Sequence, residues 1–523
     1  MGYRDDREEE ENIPLRAGSD DDGHEQFVVH APRPRSKSPT LSLHTLFQKR
    51  NWLLLCVSAI AIMSTTMLLA GKRFPSLIGN KAYHDLVTVP KFEKSDPNES
   101  FNYRWYTEAK LRWLTACLAR DDCPENADKV IIVNTYHCQW ALDDEYHGGE
   151  GVWCLGLIRS WERQGYTVLH GGDVDWRFVY NIYRQIPDLV KVILSDDGND
   201  DRNGNWKKYT KTLERKDGIP VWKYFGVSYY MTGSQTQVGH AWIVTCENDP
   251  PEQHHIEVHN GVAWLYTGDE DLQVRATPDH SRFTWLGYPL HPSPEETQIT
   301  PWHERKNRVW VMTKEAHLFH NGHQQVYNLS FFTDAHNELS KEFEGFEFVG
   351  GWQDHRNDEE KAANPIPKEV KNFGRLNATE FDKEYSVSRM MLGVGSPPLS
   401  PSPYRAMSRA VPFGHPHRLR DDLKPEDDPQ DDRNWGYRQH EGMQRVPEPY
   451  AYQIEAFNYT AFVGAIRKAL STPLEYPLRF ERMRAERADK RLSDFVDADW
   501  HGYAEAILNR RIAGTDTGEE FVL

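Results

Sequence analysis

The sequence predicts an α/β protein in which two Rossmann-like domains face a cleft, preceded by one transmembrane helix. Three observations predict it. Short apolar runs alternate with helical patterns through residues 129–300 and again through 301–470, as parallel strands joined by crossover helices do. Residues 52–70 (WLLLCVSAIAIMSTTMLLA) carry no charge, and about nineteen such residues suffice for a bilayer core of roughly 30 Å. Residues 388–416 (SRMMLGVGSPPLSPSPYRAMSRAVPFGHP) read as strand, glycine-bearing turn, helix and strand. Such a unit offers backbone N–H groups and a helix dipole to an anion, so phosphate or diphosphate is the first candidate ligand. A tight connection in a sheet is the competing reading, and the Rossmann fingerprint fails because proline stands where its third glycine belongs.

In chain order, residues 1–50 are a charged tail too poor in apolar side chains to fold. Residues 51–71 form the signal-anchor helix. Arg33, Arg35, Lys37, Lys49 and Arg50 precede it and only Lys72 and Arg73 follow closely, which puts the N-terminus in the cytosol. The sequons at Asn98, Asn328, Asn377 and Asn458 all lie beyond the span, where glycosylation could reach them. Cys117, Cys123, Cys138, Cys154 and Cys246 lie there too; Cys117 and Cys123 are spaced to close a small loop, and an odd number leaves at least one outside any internal bridge. A span at the short end of the range suits thin, early secretory membranes, so a Golgi membrane location, single-pass type II with a lumenal bulk, is expected.

Residues 72–128 read as a stem, helical near 105–118. The first domain, 129–300, is expected to hold strands at 129–133, 166–169, 189–194 and 241–245 and a helix at 150–164. The second, 301–470, is expected to hold strands at 308–312 and 346–349 and helices at 324–343 and 379–388, the latter capped by Asn377 with Glu380 in a capping box. Ser402 is the expected N-cap of the helix after the turn, with Pro403 at its first position. Residues 417–448, with DDLKPEDDPQDDR, read as a mobile excursion, and 471–523 as C-terminal helices.

A net charge of -17 argues against a nucleic-acid partner, whose phosphates need basic faces. The 17 Trp, 24 Tyr and 22 Phe suit sugar stacking, although aromatic cores give the same count. Glu150, in HGGEGVW, follows a strand at the first turn of a helix, where a carboxylate could take a proton from a sugar hydroxyl. The simpler role is a helix-start acid on the dipole. Asp173 and Asp175, and Asp269 with Asp271, resemble metal-holding D-x-D pairs after strands, so a metal-dependent glycosyltransferase using Asp173 and Asp175 is an alternative, but short acidic triplets are common in so acidic a chain. Asn199, Asp201, Asn203 and Gly204 imitate half a calcium loop, with Thr210 where the bidentate Glu belongs. His255 and His259 have zinc spacing without a third ligand and read as exposed.

The stretches GGEGVWCLGLIRSWERQGYTVL (148–169), TPDHSRFTWLGY (277–288), VWVMTKEA (309–316), IPKEVKNFGRL (366–376) and LGVGSPPLSPSPYRAM (392–407) together resemble glycosyltransferase family 18, the α-1,6-mannosylglycoprotein 6-β-N-acetylglucosaminyltransferases. The resemblance implies a GT-B fold and a type II membrane enzyme inverting at the anomeric carbon. It implies UDP-N-acetylglucosamine (UDP-GlcNAc) as donor, a mannose 6-hydroxyl on protein N-glycans as acceptor, and no metal or other cofactor. Glu150 falls at the family's catalytic base and Lys314 at a lysine near the diphosphate. Gly393, Gly395, Ser400, Ser402, Tyr404 and Arg405 fall in the donor-binding turn and helix. The chain departs from the family at Arg405, where a glutamate would bond donor hydroxyls, and at Ala410, where a glycine is usual. Arg405 then either contacts phosphate or marks a weakened relative that binds glycans or a partner protein. The partners expected are a nucleotide sugar, a glycoprotein glycan and a membrane, with a homodimer left open.

Overall fold

The structure, a computed structural model, describes residues 102–143, 148–172, 175–196, 206–229, 236–246, 255–266, 273–276, 282–290, 299–422, 424 and 435–523. The tail, the apolar span at 52–70, the Asn98 sequon, Asp173, the stretch 199–204 and the triplet 269–271 lie outside them. Among the described residues no helix is long and apolar enough to cross a membrane.

After the helix α1 (Tyr103–Arg120), the chain builds a first sheet from β1 (Val130–Asn134), β2 (Thr167–His170), β3 (Val190–Asp196), β4 (Tyr224–Val227), β5 (Ile243–Thr245), β8 (Gln273–Ala276) and β9 (Arg282–Trp285). The order is β2-β1-β3-β4-β5-β9-β8, parallel throughout except for the β8–β9 edge. Every residue of β1 is buried, as an unbroken β-branched run in a sheet covered on both faces requires. Between β1 and β2 the chain passes through α2 (Tyr136–Leu142) and α3 (Gly149–Arg163); α4 (Trp176–Gln185) links β2 to β3. A crossover helix runs back against its strands, so α3 starts at their carboxyl ends. Strands β6 (His255–His259) and β7 (Val262–Tyr266) form a separate small sheet with β17 (Leu478–Phe480).

The second sheet joins β10 (Arg308–Met312), β11 (Glu347–Gly350), β12 (Val370–Asn372), β13 (Met390–Gly393), β14 (Phe413–Leu419), β15 (Trp435–Arg438) and β16 (Ala451–Glu455). Its order is β12-β11-β10-β13-β14-β15, with β16 on β14. All pairings are parallel save β14–β15. The helices α5 (Ser330–Leu339), α6 (Asp358–Ala363), α7 (Ala378–Ser386), α8 (Ser402–Met407) and α9 (Tyr459–Ser471) accompany it. In each sheet the order reverses beside its first strand, at β1–β3 and at β10–β13, and ligands of such sheets sit outside the carboxyl ends at that reversal.

Asn377 and Glu380 form the capping box of α7 in both directions. The expected helix over 324–343 shrinks to Ser330–Leu339, because residues 324–327 instead run beneath Gly395, whose Cβ would stand 1.9 Å from the Gln324 carbonyl oxygen. The interval 417–448 is no mobile excursion over its described part. It completes β14, supplies β15, and buries Gln439 and His440 completely. The C-terminal helices α10 (Ala485–Asp497) and α11 (Trp500–Ile512) exist, but they return to the first domain. Phe495 and Trp500 pack edge-on against Phe225 of β4. Cys117 bridges Cys123 and Cys138 bridges Cys154; Cys246 is a buried thiol outside both bridges.

Arg491 of α10 is wholly buried, donating Nε to the Leu286 carbonyl at 2.8 Å and its terminal nitrogens to the Arg482 carbonyl. Arg491→Ala strips two buried carbonyls of their donor and leaves a void. It is expected to cost about 2–4 kcal/mol, read as a lowered urea midpoint at constant m-value; an unchanged midpoint would refute this anchoring of the chain's end.

Candidate active site

At the carboxyl end of the first sheet, β1 and β3 end in register, with Asn134 opposite Ser195. Thr135 caps α2 through the Cys138 amide, and the Tyr136 amide donates to Asp196 at 2.8 Å. His137 Nδ1 lies 3.8 Å from Asp196. The ring of Tyr229 stands edge-on to His137 and to Trp153 at 5.0 and 5.5 Å. Glu150 occupies the first turn of α3, half-buried, and its charge reaches Tyr229. Burial, with the Asp196 and Glu150 charges, pushes the Tyr229 hydroxyl well above its ordinary range, so it stays a neutral donor beside two carboxylates. The Cys138–Cys154 bridge ties α2 to α3 across this cluster.

At the carboxyl end of the second sheet, Met312 of β10 is in register with Gly393 of β13. Lys314 is exposed two residues beyond that level, just past the end of β10. The turn after Gly393 differs from expectation in its use of backbone. The Gly395 amide donates to Gln439 Oε1 at 2.9 Å and the Ser400 amide to His440 Nδ1 at 3.0 Å. The Ser402 amide donates to Ser400 Oγ at 3.1 Å. These three N–H groups are therefore spent within the protein rather than held open for phosphate. The amides of Ser396 and Leu399 meet no acceptor among the described residues.

The two glycines also serve close packing. A Cβ on Gly393 would come 2.3 Å from Gln439 Oε1, and Gly395 has φ +96 besides its contact with Gln324, a conformation only glycine adopts cheaply. Ser402 is the first helical residue of α8 rather than its cap, which is Pro401. Tyr404, expected at the donor, is buried instead. Its ring meets Phe480 of β17 edge-on at 4.9 Å and Tyr288 at 6.4 Å, so it joins the second domain to the first. Arg405 does not stand open to an anion: it pairs with Asp382 of α7 at 2.5 Å, and Arg409 shares that carboxylate at 2.9 Å. Ala410 has φ 58, the reason a glycine would suit; its carbonyl and that of Arg409 are held by the buried Arg305 guanidinium.

The two sheet ends meet at one place. A Cβ on Gly149 would lie 2.7 Å from Pro401 Cδ and 3.7 Å from Ser400 Cα. The residue before Glu150 thus meets the turn after β13 of the other domain. Elsewhere, Asp175 caps α4 through the Phe178 amide at 3.0 Å and binds Arg104 at 2.6 Å, so it is already committed. Exposed His255 and His259 flank Glu257 on one face of β6, as expected of surface histidines. Among the described residues no three His, Cys, Asp or Glu side chains are grouped to hold a metal. No local pattern marks Asp196, Tyr229, Gln439 or His440 as residues of this site. The only local hint was the glycine at 393, which implies a close neighbour without saying which.

No protein-family model matches the chain and no curated protein matches it. Among solved structures it is similar to S. aureus MnaA with UDP, at 11% identity over 75% of this chain and 99% of that one, TM-score 0.31. It is also similar to the Thermobaculum terrenum O-GlcNAc transferase, at 9% identity over 79% and 74%, TM-score 0.35. A third is an alpha-glucosyltransferase with UDP and a DNA containing an HMU base, at 9% identity over 72% and 99%, TM-score 0.36.

Two outcomes are expected. In an exposed helix Gly→Ala stabilises by roughly 0.5–1 kcal/mol, but in Gly149→Ala the new methyl meets a rigid proline ring, so a loss of about 1–3 kcal/mol is expected in urea unfolding. A gain would show that the domains do not meet there. Burial lowers His170 and His417 to about 3 and His440 well below its ordinary value. Below the unfolded value near 6.5 the unfolded chain binds the extra protons, so this stability is complete above about pH 6.5 and is lost as pH falls. Between pH 6.5 and 5.5 the loss is about 1 kcal/mol per histidine; urea midpoints that do not move over that interval would contradict it.

Proposed function

We propose that the chain is an inverting GT-B glycosyltransferase that moves N-acetylglucosamine from UDP-GlcNAc to the 6-hydroxyl of a mannose on protein N-glycans. It would form a β-1,6 linkage, working on the lumenal side of a Golgi membrane without a metal. The observation that carries this reading is the contact of Gly149 with Ser400 and Pro401. It brings the helix start that carries Glu150, at the carboxyl edge of one parallel sheet, beside the turn at the carboxyl edge of the other. A displacement needs that arrangement, because base and leaving group must flank one anomeric carbon within a few ångströms.

In the proposed reaction Glu150 takes the proton of the 6-hydroxyl as that oxygen bonds to the anomeric carbon from the face opposite the diphosphate. The bond from the anomeric carbon to the β-phosphate oxygen breaks and its electron pair leaves with UDP. The neutral Tyr229 hydroxyl is suited to steady Glu150 or a sugar hydroxyl. Charge developing on the diphosphate falls to Lys314, the Ser396 and Leu399 amides and the Ser402 hydroxyl, which accepts from Ser400 Oγ at 3.0 Å and keeps its own proton to give. Support for a metal-free course comes from Asp175, whose carboxylate is already bound to Arg104 and the α4 amide.

A second reading, a weakened relative that binds glycans or a partner, is favoured by the Arg405–Asp382 pair and the spent amides of Gly395 and Ser400. Turnover of UDP-GlcNAc with and without chelator separates the readings. Turnover that survives chelation supports the first, and glycan binding without turnover the second. Glu150→Gln is expected to lower turnover at least about 100-fold while UDP binding stays within about threefold; unchanged turnover would remove Glu150 from this role.

A further inference from the structure

We propose that Gln439 and His440 are positioning residues that shape the donor turn, setting affinity for the nucleoside diphosphate without touching it. The proposal rests on the transferase reading above. The turn between Gly393 and Ser402 contains three prolines at 397, 398 and 401, which have no N–H to give. It has no helix or ladder of its own to fix its course. Its shape is written instead by residues 437–440, the last two of β15 and the two that follow it.

Tyr437 donates its hydroxyl to the Gly395 carbonyl. The Gln439 side chain accepts from the Gly395 amide at 2.9 Å and donates to the Pro397 carbonyl at 2.9 Å. The His440 amide donates to the Pro398 carbonyl at 2.8 Å, and His440 Nδ1 accepts from the Ser400 amide at 3.0 Å. Five hydrogen bonds from three residues thus fix both ends of the 395–400 loop. A carboxamide gives from one atom and takes at another on a single uncharged group, and the Gln439 position uses both. Gly393 leaves the room it needs, since a Cβ there would lie 2.3 Å from Gln439 Oε1.

At His440 the Nδ1 lone pair is the acceptor, so the ring is neutral with its proton on Nε2. The backbone there has φ 60, and both residues are fully buried. The template has a fixed height because the Gln439 amide donates to the Pro416 carbonyl of β14 at 3.1 Å. It also sorts the loop's donors. The Gly395 and Ser400 amides are consumed, and those of Ser396 and Leu399 are the ones left over. A loop with so few N–H groups to offer an anion must hold those two in a constant relation, and the bonds from 437–440 supply that constancy.

The test compares His440→Phe, His440→Asn and Gln439→Leu in the lumenal chain, reading UDP affinity by titration calorimetry, donor and acceptor KM, and Tm. Asn presents an acceptor oxygen near the place of Nδ1 and tolerates positive φ, so His440→Asn should keep UDP affinity within about threefold. His440→Phe and Gln439→Leu should raise the UDP Kd and donor KM at least about tenfold while acceptor KM moves less than about twofold. Equal losses in donor and acceptor KM, or folded Phe and Leu variants that bind UDP as the parent does, overturn the proposal. Should His440→Phe fail to fold, a tenfold loss of UDP binding in His440→Asn at native Tm overturns it equally. A parent protein that binds no UDP at all refutes the transferase reading itself, an outcome distinct from parent binding that the variants leave untouched.

Discussion

The approach of Gly149 to Pro401 is the constraint on which the rest of the structure depends. Two parallel sheets, each with its own order reversal, can face one another in many ways. In this one the start of α3 is set against the turn after β13, so the carboxyl edge of one sheet approaches the carboxyl edge of the other. The contact tolerates no side chain at 149. Other features hold it in place: Tyr404 reaches Phe480 and Tyr288, and Arg491 pins α10 to the end of β9. The chain's return to its first domain is thus part of how the two domains are joined, since β17 carries the ring that receives Tyr404 and α10 is fixed beside it on the first domain.

How much was legible in the sequence follows from how local each determinant is. The strand Arg308–Met312 and the capping box of α7 are encoded within a few adjacent residues, and both stand where the pattern put them. Strand β4, YFGV, was missed because four residues with a central glycine carry neither alternation nor length. The charged interval after β14 hid β15 and the Gln439–His440 pair for a different reason. Those residues are buried by partners about forty positions away, so their polarity says nothing of exposure.

The glycine-rich turn shows the same limit at the candidate site itself. Gly393 and Gly395 are where a phosphate loop would have them, but a glycine reports only that something comes close. Here that something is a glutamine side chain and a backbone carbonyl of the same protein. Glu150 and Lys314 were locatable because each sits just past a recognisable strand or at a helix start. Tyr229 and Asp196 were not, since nothing near them in sequence distinguishes them from other loop residues.

The departures from the family pattern at Arg405 and Ala410 acquire a physical sense together. An arginine early in a helix opposes the dipole unless an anion is beside it, and Asp382 supplies that anion. The same carboxylate takes Arg409, whose carbonyl, with that of Ala410, receives the Arg305 guanidinium. A left-handed Ala costs on the order of 1 kcal/mol, and this network of buried arginines holds the backbone there in spite of it. Two arginines on one carboxylate tie α8 to α7, so the departure at 405 anchors one helix to the other, and the helix after the turn owes its position to that pair.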